Sequence, residues 1–273
     1  MKKNLTLFTV FIIIISSCEK ESFNISNLNN NRVTVLGHGG MGYSDLYPMN
    51  SFESIFNCII IGADGSEIDV QMTKDSVLLA FHDKFLEQST YFSGQIFNKN
   101  WDEINNAKYK DPPYTNYEVV TLDNIFSNIE NLKNYTFFLE CKNYNPDTSL
   151  LYRNTFINAL IRLIDKYELE NNVCFEFKRK EIIKSLKAKR PDLKIFIYSN
   201  FEDGLNTAKD LQLTGITISV DDVSKEQVVK AHSNGIMINV FGTNTKNKNI
   251  EAIEKNVDFI QSDKLKHLIK MMK

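Results

Sequence analysis

Residues 62–75 read GADGSEIDVQMTKD, and residues 77–83 read VLLAFHD. Each stretch contains a short run of β-forming residues, which predicts two consecutive strands. Glu67 and Asp69 are two residues apart, so in a strand both carboxylates point to the same side of the sheet. His82 follows the second apolar run directly. These stretches therefore predict a sheet with acidic and imidazole side chains near the ends of its strands.

The rest of the chain alternates short apolar runs with helical stretches. Several runs, such as IFIY at 195–198, are almost continuously apolar, which is typical of strands covered on both faces. The predicted strands are Arg32–Gly37, Ser66–Val70, Val77–Phe81, Thr136–Lys142, Val173–Phe177, Lys194–Tyr198, Gly215–Val220, Ile236–Phe241 and Asp258–Gln261. The predicted helices are Ser51–Ile61, Leu150–Tyr167, Arg179–Lys189, Gly204–Leu211, Ser224–Asn234, Asn249–Asn256 and Asp263–Met272.

Alternation of strands and helices over one domain predicts a parallel sheet. We interpret Val77–Phe81 as a hairpin partner of Ser66–Val70, which leaves eight strands, the number in a (β/α)8 barrel. Residues 91–117 interrupt the alternation and contain the single tryptophan, Trp101, so we interpret them as an insertion over one barrel face. The predicted fold class is α/β, a TIM barrel with a small insertion after the second strand region.

Polar residues follow several strands in the first half of the chain. His38 comes directly after the first strand, and Glu140 and Lys142 close the strand after the insertion, again two residues apart. The carboxyl ends of the strands carry the active site in a parallel barrel. We therefore expect these side chains to converge with those of residues 67–83 at one mouth.

Three carboxylates at one mouth, those of Glu67, Asp69 and Glu140, would repel one another and be costly to bury. Ca²⁺ and Mg²⁺ both bind carboxylate oxygens and remove that repulsion. Two histidines nearby can act as general base and general acid, and a lysine can meet an anionic substrate. The pattern predicts a divalent metal with two imidazoles around a phosphate.

Each pair of residues also has a structural interpretation when it is taken alone. The His82-Asp83 pair is then a loop end, and Glu67 and Asp69 are surface groups at a strand edge. Glu140 and Lys142 are then solvated cross-strand partners. Their order along the chain favours the site, because independent surface positions would not all fall at the carboxyl ends of strands.

The same residues resemble the glycerophosphodiester phosphodiesterase family, which belongs with the phosphatidylinositol phospholipase C-like barrels. The family pattern has a Gly-Ala-Asp, Glu-x-Asp-Val, Thr-x-Asp block ending in His-Asp, and residues 62–83 match it. Residues 121–123 match a later Thr-Leu-Glu element, residues 139–142 a Glu-x-Lys strand, and residues 262–263 a Thr-Asp pair. The resemblance extends from about Val33 over most of the chain.

The resemblance implies a TIM barrel that hydrolyses a phosphodiester, commonly a glycerophosphodiester, with a divalent metal that is often Ca²⁺ or Mg²⁺. The site residues that it implies are acid–base His38 and His82, metal-binding Glu67, Asp69 and Glu140, and phosphate-binding Lys142. The nucleophile is either water or a neighbouring hydroxyl of the substrate, which would give a cyclic phosphate.

Two positions depart from the family pattern. The family has His-Arg-Gly where this chain has His38-Gly39-Gly40, so an arginine that contacts phosphate is absent. The family's Pro-Glu-Asn-Thr is PMNS at residues 48–51, so a carboxylate at Met49 is absent too. Because a cation and an anion are lost together, we interpret this as a paired change. Backbone N–H groups of Gly39 and Gly40 are then expected to help bind the phosphate.

The N-terminus has the plan of a secretory signal. Lysines at positions 2 and 3 precede an apolar run that is too short to span a bilayer comfortably and that ends in Ser-Ser-Cys18. Residues 15–18 resemble a bacterial lipobox, in which the cysteine is lipidated. A plain secretory signal and an N-terminal membrane anchor are the alternatives. The predicted division of the chain is a signal peptide at 1–17, a flexible tether at 18–31 and the barrel domain at 32–273.

The lipobox predicts a lipid-anchored protein of the bacterial cell envelope that faces the periplasm or the exterior. The chain has 273 residues with 32 Lys+Arg and 34 Asp+Glu, a formal charge of −2, so nucleic-acid binding is not expected. No protein partner is implied. Cys58, Cys141 and Cys174 lie among apolar neighbours and are expected to be buried free thiols rather than disulfides or zinc ligands.

Three functions follow from these patterns. The first is a metal-dependent phosphodiesterase that cleaves a glycerophosphodiester to glycerol 3-phosphate and an alcohol. The second is a non-catalytic lipoprotein that binds a metal and a phosphodiester, although pure binding does not require two histidines. The third is a phospholipase C-like or lyase-like enzyme that forms a cyclic phosphate from intact lipid.

Overall fold

Strands and helices alternate along the chain much as the apolar pattern predicts. The computed structural model describes residues 23–44, 46–147 and 149–273. The strands are β1 (Thr34–Gly37), β2 (Gly65–Met72), β3 (Leu78–Ala80), β4 (Val120–Thr121), β5 (Thr136–Cys141), β6 (Val173–Phe177), β7 (Lys194–Tyr198), β8 (Gly215–Ser219), β9 (Met237–Thr243) and β10 (Phe259–Ser262). The helices are α1 (Phe52–Ile60), α2 (Leu122–Ser127), α3 (Leu150–Tyr167), α4 (Lys180–Lys189), α5 (Phe201–Asp210), α6 (Lys225–His232), α7 (Lys246–Glu254) and α8 (Leu265–Met272).

Eight of these strands close into a parallel barrel. Their order around it is β1, β2, β5, β6, β7, β8, β9 and β10, and β10 pairs in parallel with β1. The short strand β3 pairs antiparallel with β2, and β4 pairs antiparallel with β3, so both lie outside the closed barrel. The predicted TIM barrel and its hairpin strand are therefore confirmed.

The sequence prediction differs from the structure mainly at short elements and helix starts. The two-residue strand β4 and the six-residue helix α2 were not predicted, because neither is long enough to show a periodic pattern. The side chain of Thr121 caps α2 at its N-terminus. Helix α5 begins at Phe201, ahead of the predicted Gly204, because the Asn200 side chain provides an N-cap there.

The lower interior of the barrel is filled by aromatic rings. The ring centroids of Phe138, Phe196 and Phe259 lie 4.9 to 5.7 Å apart, and all three side chains are buried. Gly215 leaves room for this cluster, because a Cβ atom there would lie 2.2 Å from Cε1 of Phe196. The next inward residue after Phe138 along β5 is Glu140, two positions on. The polar mouth of the barrel therefore rests on a packed aromatic layer.

The three cysteines in the described part of the chain are buried free thiols, as predicted. Burial raises the pKa of Cys58 and of Cys174 to about 12. The pKa of Cys141 is raised as well, first by burial and then by the nearby Glu140 carboxylate. A thiol needs its thiolate form to act as a nucleophile or metal ligand, so these side chains serve as small core residues.

Residues 91–117 form the predicted insertion and have a small core of their own. Ile96 and Ile104 are buried against Leu79 of β3 and against Phe81, which immediately precedes His82. The insertion is therefore packed onto the hairpin strand next to one of the predicted catalytic histidines. This position makes it a wall of the barrel mouth.

Residues 23–31 run across the opposite end of the barrel, where the strands begin. The carboxylate of Asp258, just before β10, accepts hydrogen bonds from the backbone N–H groups of Leu28 and Asn29 at 2.9 and 3.1 Å. Its second oxygen accepts from the N–H of Ile238 at 2.7 Å and lies 2.8 Å from Nε2 of His232. One buried carboxylate thus joins this segment to β9, β10 and α6.

These contacts correct part of the predicted tether at residues 18–31. Phe23 and Ile25 pack against the core, and from Ser26 onward Asn side chains and N–H groups donate hydrogen bonds to acceptors near the start of β10. The predicted signal peptide at 1–17 and the predicted lipidation site, Cys18, lie outside the described residues. No helix in the described part of the chain is long and apolar enough to cross a bilayer.

Candidate active site

The carboxyl ends of β2 and β5 bring the three predicted metal ligands together. Asp69 pairs in register with Glu140, and Glu67 precedes Asp69 on the same side of β2. One carboxylate oxygen from each of the three residues lies within 4.8 Å of the others. Glu67 and Asp69 are each only 1% exposed. The convergence expected from the two-residue spacings is therefore present.

Lys142 lies between two of these carboxylates. Its Nζ is 3.0 Å from Oδ1 of Asp69 and 2.8 Å from Oε2 of Glu140. Burial alone would lower the pKa of Lys142, but the carboxylates of Asp69 and Glu140 outweigh burial and raise it. The ammonium group is therefore fixed as a permanent positive charge at the mouth of the barrel.

The two carboxylates on β2 have opposite pKa shifts. Burial, followed by the charges of Asp69 and Glu140, raises the pKa of Glu67 well above its usual range. Burial would also raise the pKa of Asp69, but Lys142 and then His82 outweigh it and lower that pKa. Asp69 is thus compensated within the protein, whereas Glu67 is not.

The side chain of Glu67 also has an unused ligand atom. Its Oε2 accepts the backbone N–H of Gly39 at 2.9 Å, while its buried Oε1 has no hydrogen-bond partner among the described residues. Carboxylate oxygens are the donors that Ca²⁺ and Mg²⁺ prefer. The donor set of Glu67, Asp69 and Glu140 and the unpartnered oxygen therefore fit a hard divalent cation.

His38 stands beside these carboxylates at the end of β1. Its Nδ1 lies 2.8 Å from Oδ1 of Asp263, and its Nε2 lies 4.0 Å from Oε2 of Glu67. Burial lowers the pKa of His38, but the hydrogen bond and charge of Asp263 outweigh it, so the net shift is upward. Asp263 orients the ring so that Nε2 points into the mouth. The sequence marked residues 262–263 only as a family match and did not predict this contact.

His82 lies on the other side of the mouth and is more exposed. Its Nδ1 is 3.0 Å from Oδ1 of Asp83, and its backbone carbonyl accepts a hydrogen bond from the Tyr144 hydroxyl at 3.1 Å. The Asp83 hydrogen bond raises the pKa of His82 against the opposing effect of burial. The hydroxyl of Ser89 donates to Asp83 and holds that carboxylate in place.

Asn50 holds Asp69 in place through contacts that the sequence analysis did not predict. Its Nδ2 donates to Oδ2 of Asp69 at 2.7 Å, and its Oδ1 accepts the backbone N–H of Asp69 at 2.9 Å. The amide therefore fixes one oxygen of Asp69, while Lys142 holds the other. In the sequence, Asn50 stands out only as part of the PMNS stretch at 48–51. The contact could not be predicted from that stretch, because Asp69 lies on strand β2.

The sequence predicts that Gly39 and Gly40 bind phosphate through their N–H groups; in the structure the N–H of Gly39 has another partner. That N–H already donates to Glu67. Gly40 is packed against helix α1, since a Cβ atom there would lie 2.4 Å from the carbonyl carbon of Ser54. Both glycines allow the loop to approach the site closely and in a left-handed conformation, with φ of 54° and 95°.

Met49 occupies the space beside Gly39. A Cβ atom on residue 39 would lie 2.8 Å from Cβ and 2.9 Å from Cε of Met49. The two positions at which the chain departs from the family pattern are therefore in contact. The thioether side chain fills the volume that a side chain on residue 39 would need, which supports the interpretation of a paired change.

A cavity of about 370 Å³ opens between His38 and His82. The loop between β1 and α1, including Met49, forms one wall, and the insertion at 91–117 forms the other. The two histidines therefore face a shared space that is large enough for a small organic molecule.

A further carboxylate, that of Glu176, lies deeper in the barrel. Its Oε1 accepts hydrogen bonds from Thr217, Asn239 and Gln261 at 2.5 to 2.8 Å. Burial and then the Glu140 charge raise the pKa of Glu176 to about 8. The sequence did not identify this group, because the three partners come from β8, β9 and β10.

The family model described as the Glycerophosphoryl diester phosphodiesterase family matches residues 41–267. The chain belongs to this family. YqiK of Bacillus subtilis is 34% identical over 89 residues, which are 32% of this chain and 37% of that protein. A glycerophosphodiester phosphodiesterase of Caldanaerobacter subterraneus subsp. tengcongensis is 24% identical over 250 residues, 89% of this chain and 98% of the relative.

Solved structures show the same fold. The structure of an Oleispira antarctica phosphodiesterase in complex with the product sn-glycerol-3-phosphate superposes with a TM-score of 0.76. The match covers 88% of this chain and 96% of that chain at 19% identity. The family match and the barrel agree with the resemblance of the 62–83 block.

We predict that Gly39→Arg lowers turnover instead of restoring a lost contact. The new side chain would collide with Met49 and require a left-handed backbone, so unfolding in urea should show a loss of about 1–3 kcal/mol. Met49→Ala in the same background should recover part of that loss. Gly235→Arg is the matched control, because it has φ of 70° and open space around its Cα. A large rise in activity for Gly39→Arg would contradict the paired interpretation.

Proposed function

We propose that this protein is a metal-dependent phosphoric diester hydrolase that cleaves glycerophosphodiesters to glycerol 3-phosphate and an alcohol. The observation that carries the proposal is the buried triad of Glu67, Asp69 and Glu140, set between two histidines that face one cavity. Membership of the family and the names of its relatives support the same reaction class. The metal is Ca²⁺ or Mg²⁺, both of which suit three carboxylates.

In this proposal Glu67, Asp69 and Glu140 hold the cation. The cation supplies positive charge that stabilises the phosphoryl oxygens as charge develops on them. Lys142 lowers the pKa of Asp69 and forms an ion pair with Glu140, and its ammonium adds to the positive potential that attracts the phosphate. Glu67 gains most from a bound cation, because its nearest cationic group is the His38 ring at 4.0 Å and one of its oxygens has no hydrogen-bond partner among the described residues.

His38 and His82 move the protons. One ring accepts a proton from the attacking hydroxyl or water, and the other donates a proton to the departing alkoxide oxygen. The hydrogen bond from Nδ1 of His38 to Asp263 leaves Nε2 directed at the substrate. Asp83 does the same for His82. Each ring thus has one nitrogen for orientation and one for chemistry, as in other carboxylate–histidine pairs.

We also propose that the protein is anchored to a bacterial envelope membrane through a lipid on Cys18, with the barrel in the periplasm or at the exterior. This proposal rests on the N-terminal sequence pattern, with its two lysines, apolar run and Ser-Ser-Cys end. A small soluble phosphodiester is the substrate partner. The proposal includes no nucleic-acid or protein partner.

The reaction is tested by glycerol 3-phosphate release from a panel of glycerophosphodiesters with Ca²⁺, with Mg²⁺ and with chelator. We expect metal-dependent turnover that falls at least 100-fold in His38→Ala, because a general acid or base contributes about that much. His267→Ala, on α8, is the matched control and should remain active. Calorimetry should show a loss of cation binding in Glu67→Gln.

Three results would change the assignment. Metal binding without any product from the panel would favour the non-catalytic binding protein. A cyclic phosphate as the final product would favour the lyase-like enzyme. Cation affinity unchanged by Glu67→Gln would exclude the triad as the metal site.

The pH dependence of kcat/KM tests the role of Asp83. Its hydrogen bond raises the pKa of His82, so Asp83→Asn should lower that pKa and move one limb of the pH profile toward lower pH. A shift of the acidic limb would identify His82 as the base, and a shift of the alkaline limb would identify it as the acid. Asp192→Asn, an exposed partner of Arg190, is the control. If neither limb moves, His82 is not a proton-transfer group.

The lipid is tested by the intact mass of the protein from a membrane fraction. We expect a chain that begins at Cys18 and carries a diacylglyceryl group, with or without an additional acyl chain. Cys18→Ala should release the protein from the membrane or block its processing. An unmodified N-terminus at another residue would contradict the proposal.

A further inference from the structure

The cavity beside the two histidines has walls that are tied together. The Tyr109 hydroxyl in the insertion donates to the carbonyl of Met49 at 3.2 Å, and the Tyr114 hydroxyl donates to the carbonyl of Ser44. These bonds join the insertion to the loop between β1 and α1. Hydrogen bonds therefore hold the two walls of the cavity together.

Five of the residues that line the pocket are aromatic, and one of them, Phe81, is only 2% exposed. Four tyrosines line it, together with one phenylalanine and Met49; the aromatic residues are Tyr43, Tyr47, Tyr109, Tyr114 and Phe81. Two of the phenol hydroxyls already donate to backbone carbonyls, so those residues chiefly offer ring surface to a ligand. A polyol such as glycerol needs several hydrogen-bonding groups, whereas ring surface suits an apolar or cationic group.

The pocket wall carries two carboxylates and two imidazoles, and one of the carboxylates, that of Asp83, is paired with His82. Asp83 and Asp111 both line it, and no lysine or arginine is among the described lining residues. Asp111 is exposed, and its side chain makes no hydrogen bond or ion pair with the described part of the chain. The neighbouring lysines are directed elsewhere: Lys110 donates to the carbonyl of Glu87, and Lys84 lies over the ring of Phe85 at 5.3 Å.

Carboxylates also lie near the Tyr109 hydroxyl in the pocket wall. Burial, followed by the carboxylates of Asp83, Asp69 and Glu53, raises the pKa of its phenol. Lys142 does not line the pocket; it lies beside Asp69 and Glu140, where the phosphate is expected. A substrate with a phosphate at one end and a cation at the other would match this order of charges.

We propose that this tyrosine-lined pocket is a head-group subsite that selects phosphodiesters whose alcohol carries a trimethylammonium group. The proposal rests on the proposed phosphodiesterase function. A trimethylammonium group has no N–H donors and a large apolar surface, so ring faces and the Met49 thioether replace its water at little cost. A primary ammonium would lose hydrogen bonds to water that the rings do not replace. An anionic head group would meet the carboxylate of Asp111.

The selection is tested with two esters that differ only in charge. Glycerophosphocholine and its neutral isostere, the 3,3-dimethylbutyl ester of glycerol phosphate, have the same shape. We expect kcat/KM to favour the choline ester about tenfold in the metal-loaded protein, since cation–π contacts and one nearby carboxylate act only on the charged group. The ethanolamine ester should rank below the choline ester.

Asp111→Asn should lower the choline-to-isostere ratio about threefold, because it removes charge from the wall and keeps the shape of the side chain. Asp102→Asn is the matched control, since Asp102 is an exposed acid of the same insertion that does not line the pocket. A ratio near one in the unmodified protein, or a better ethanolamine ester, would overturn the subsite while leaving the phosphodiesterase intact.

A binding measurement keeps the two proposals separate if none of the esters is cleaved. Saturation-transfer NMR with free choline and with 3,3-dimethylbutanol reports on the pocket without any turnover. Choline signals that are stronger than those of the neutral alcohol, and that weaken in Asp111→Asn, would support the subsite even if the reaction class were wrong. Absence of a choline signal would refute it.

Discussion

Compensation of buried charge at the mouth of the barrel constrains the surrounding structure. Removing a carboxylate from water costs several kcal/mol unless another group compensates it. Lys142 meets Asp69 and Glu140 directly, but Glu67 receives only the N–H of Gly39 and keeps one oxygen without a partner. The protein thus holds one carboxylate in a position that is favourable only when it is protonated or bound to a cation. This arrangement fits the cation site proposed for the three carboxylates.

The loop between β1 and α1 connects this charge balance to the substrate cavity. Gly39 gives its N–H to Glu67 and accepts the Ser54 hydroxyl at its carbonyl, which fixes the loop on α1. Met49 packs over that glycine and, with the tyrosines of the insertion, forms the pocket wall. A change in one part of the loop therefore affects both Glu67 and the pocket. This coupling explains why positions 39 and 49 are expected to change together.

Much of the fold could be predicted from local patterns. Strands such as Val173–Phe177 and Lys194–Tyr198 have the predicted bounds, since continuous apolar runs mark them clearly. The convergence of Glu67, Asp69 and Glu140 could be predicted as well. These residues lie at the ends of strands, and Glu67 and Asp69 are two positions apart. Period-two geometry is a property of the strand itself, so it is visible without the tertiary structure.

The remaining parts of the site depend on contacts between distant segments. Asp263 meets His38 across 225 positions of the chain, and Glu176 takes its hydrogen bonds from three other strands. The insertion at 91–117 could be recognised because it breaks the alternation, but its tyrosines face the site only through its own packing. Gly39 illustrates the same limit. Its sequence context suggested a phosphate donor, whereas the fold places a carboxylate next to its N–H.

The segment at residues 23–31 has a consequence for how the barrel would stand on a membrane. It lies on the end of the barrel opposite the site, and Phe23 comes five residues after Cys18. Five extended residues span at most about 18 Å. A lipid on Cys18 would therefore hold the barrel by its closed end, with its opening turned toward the aqueous compartment. Substrates would arrive by diffusion from solution, and lipids of the anchoring leaflet would lie beyond reach.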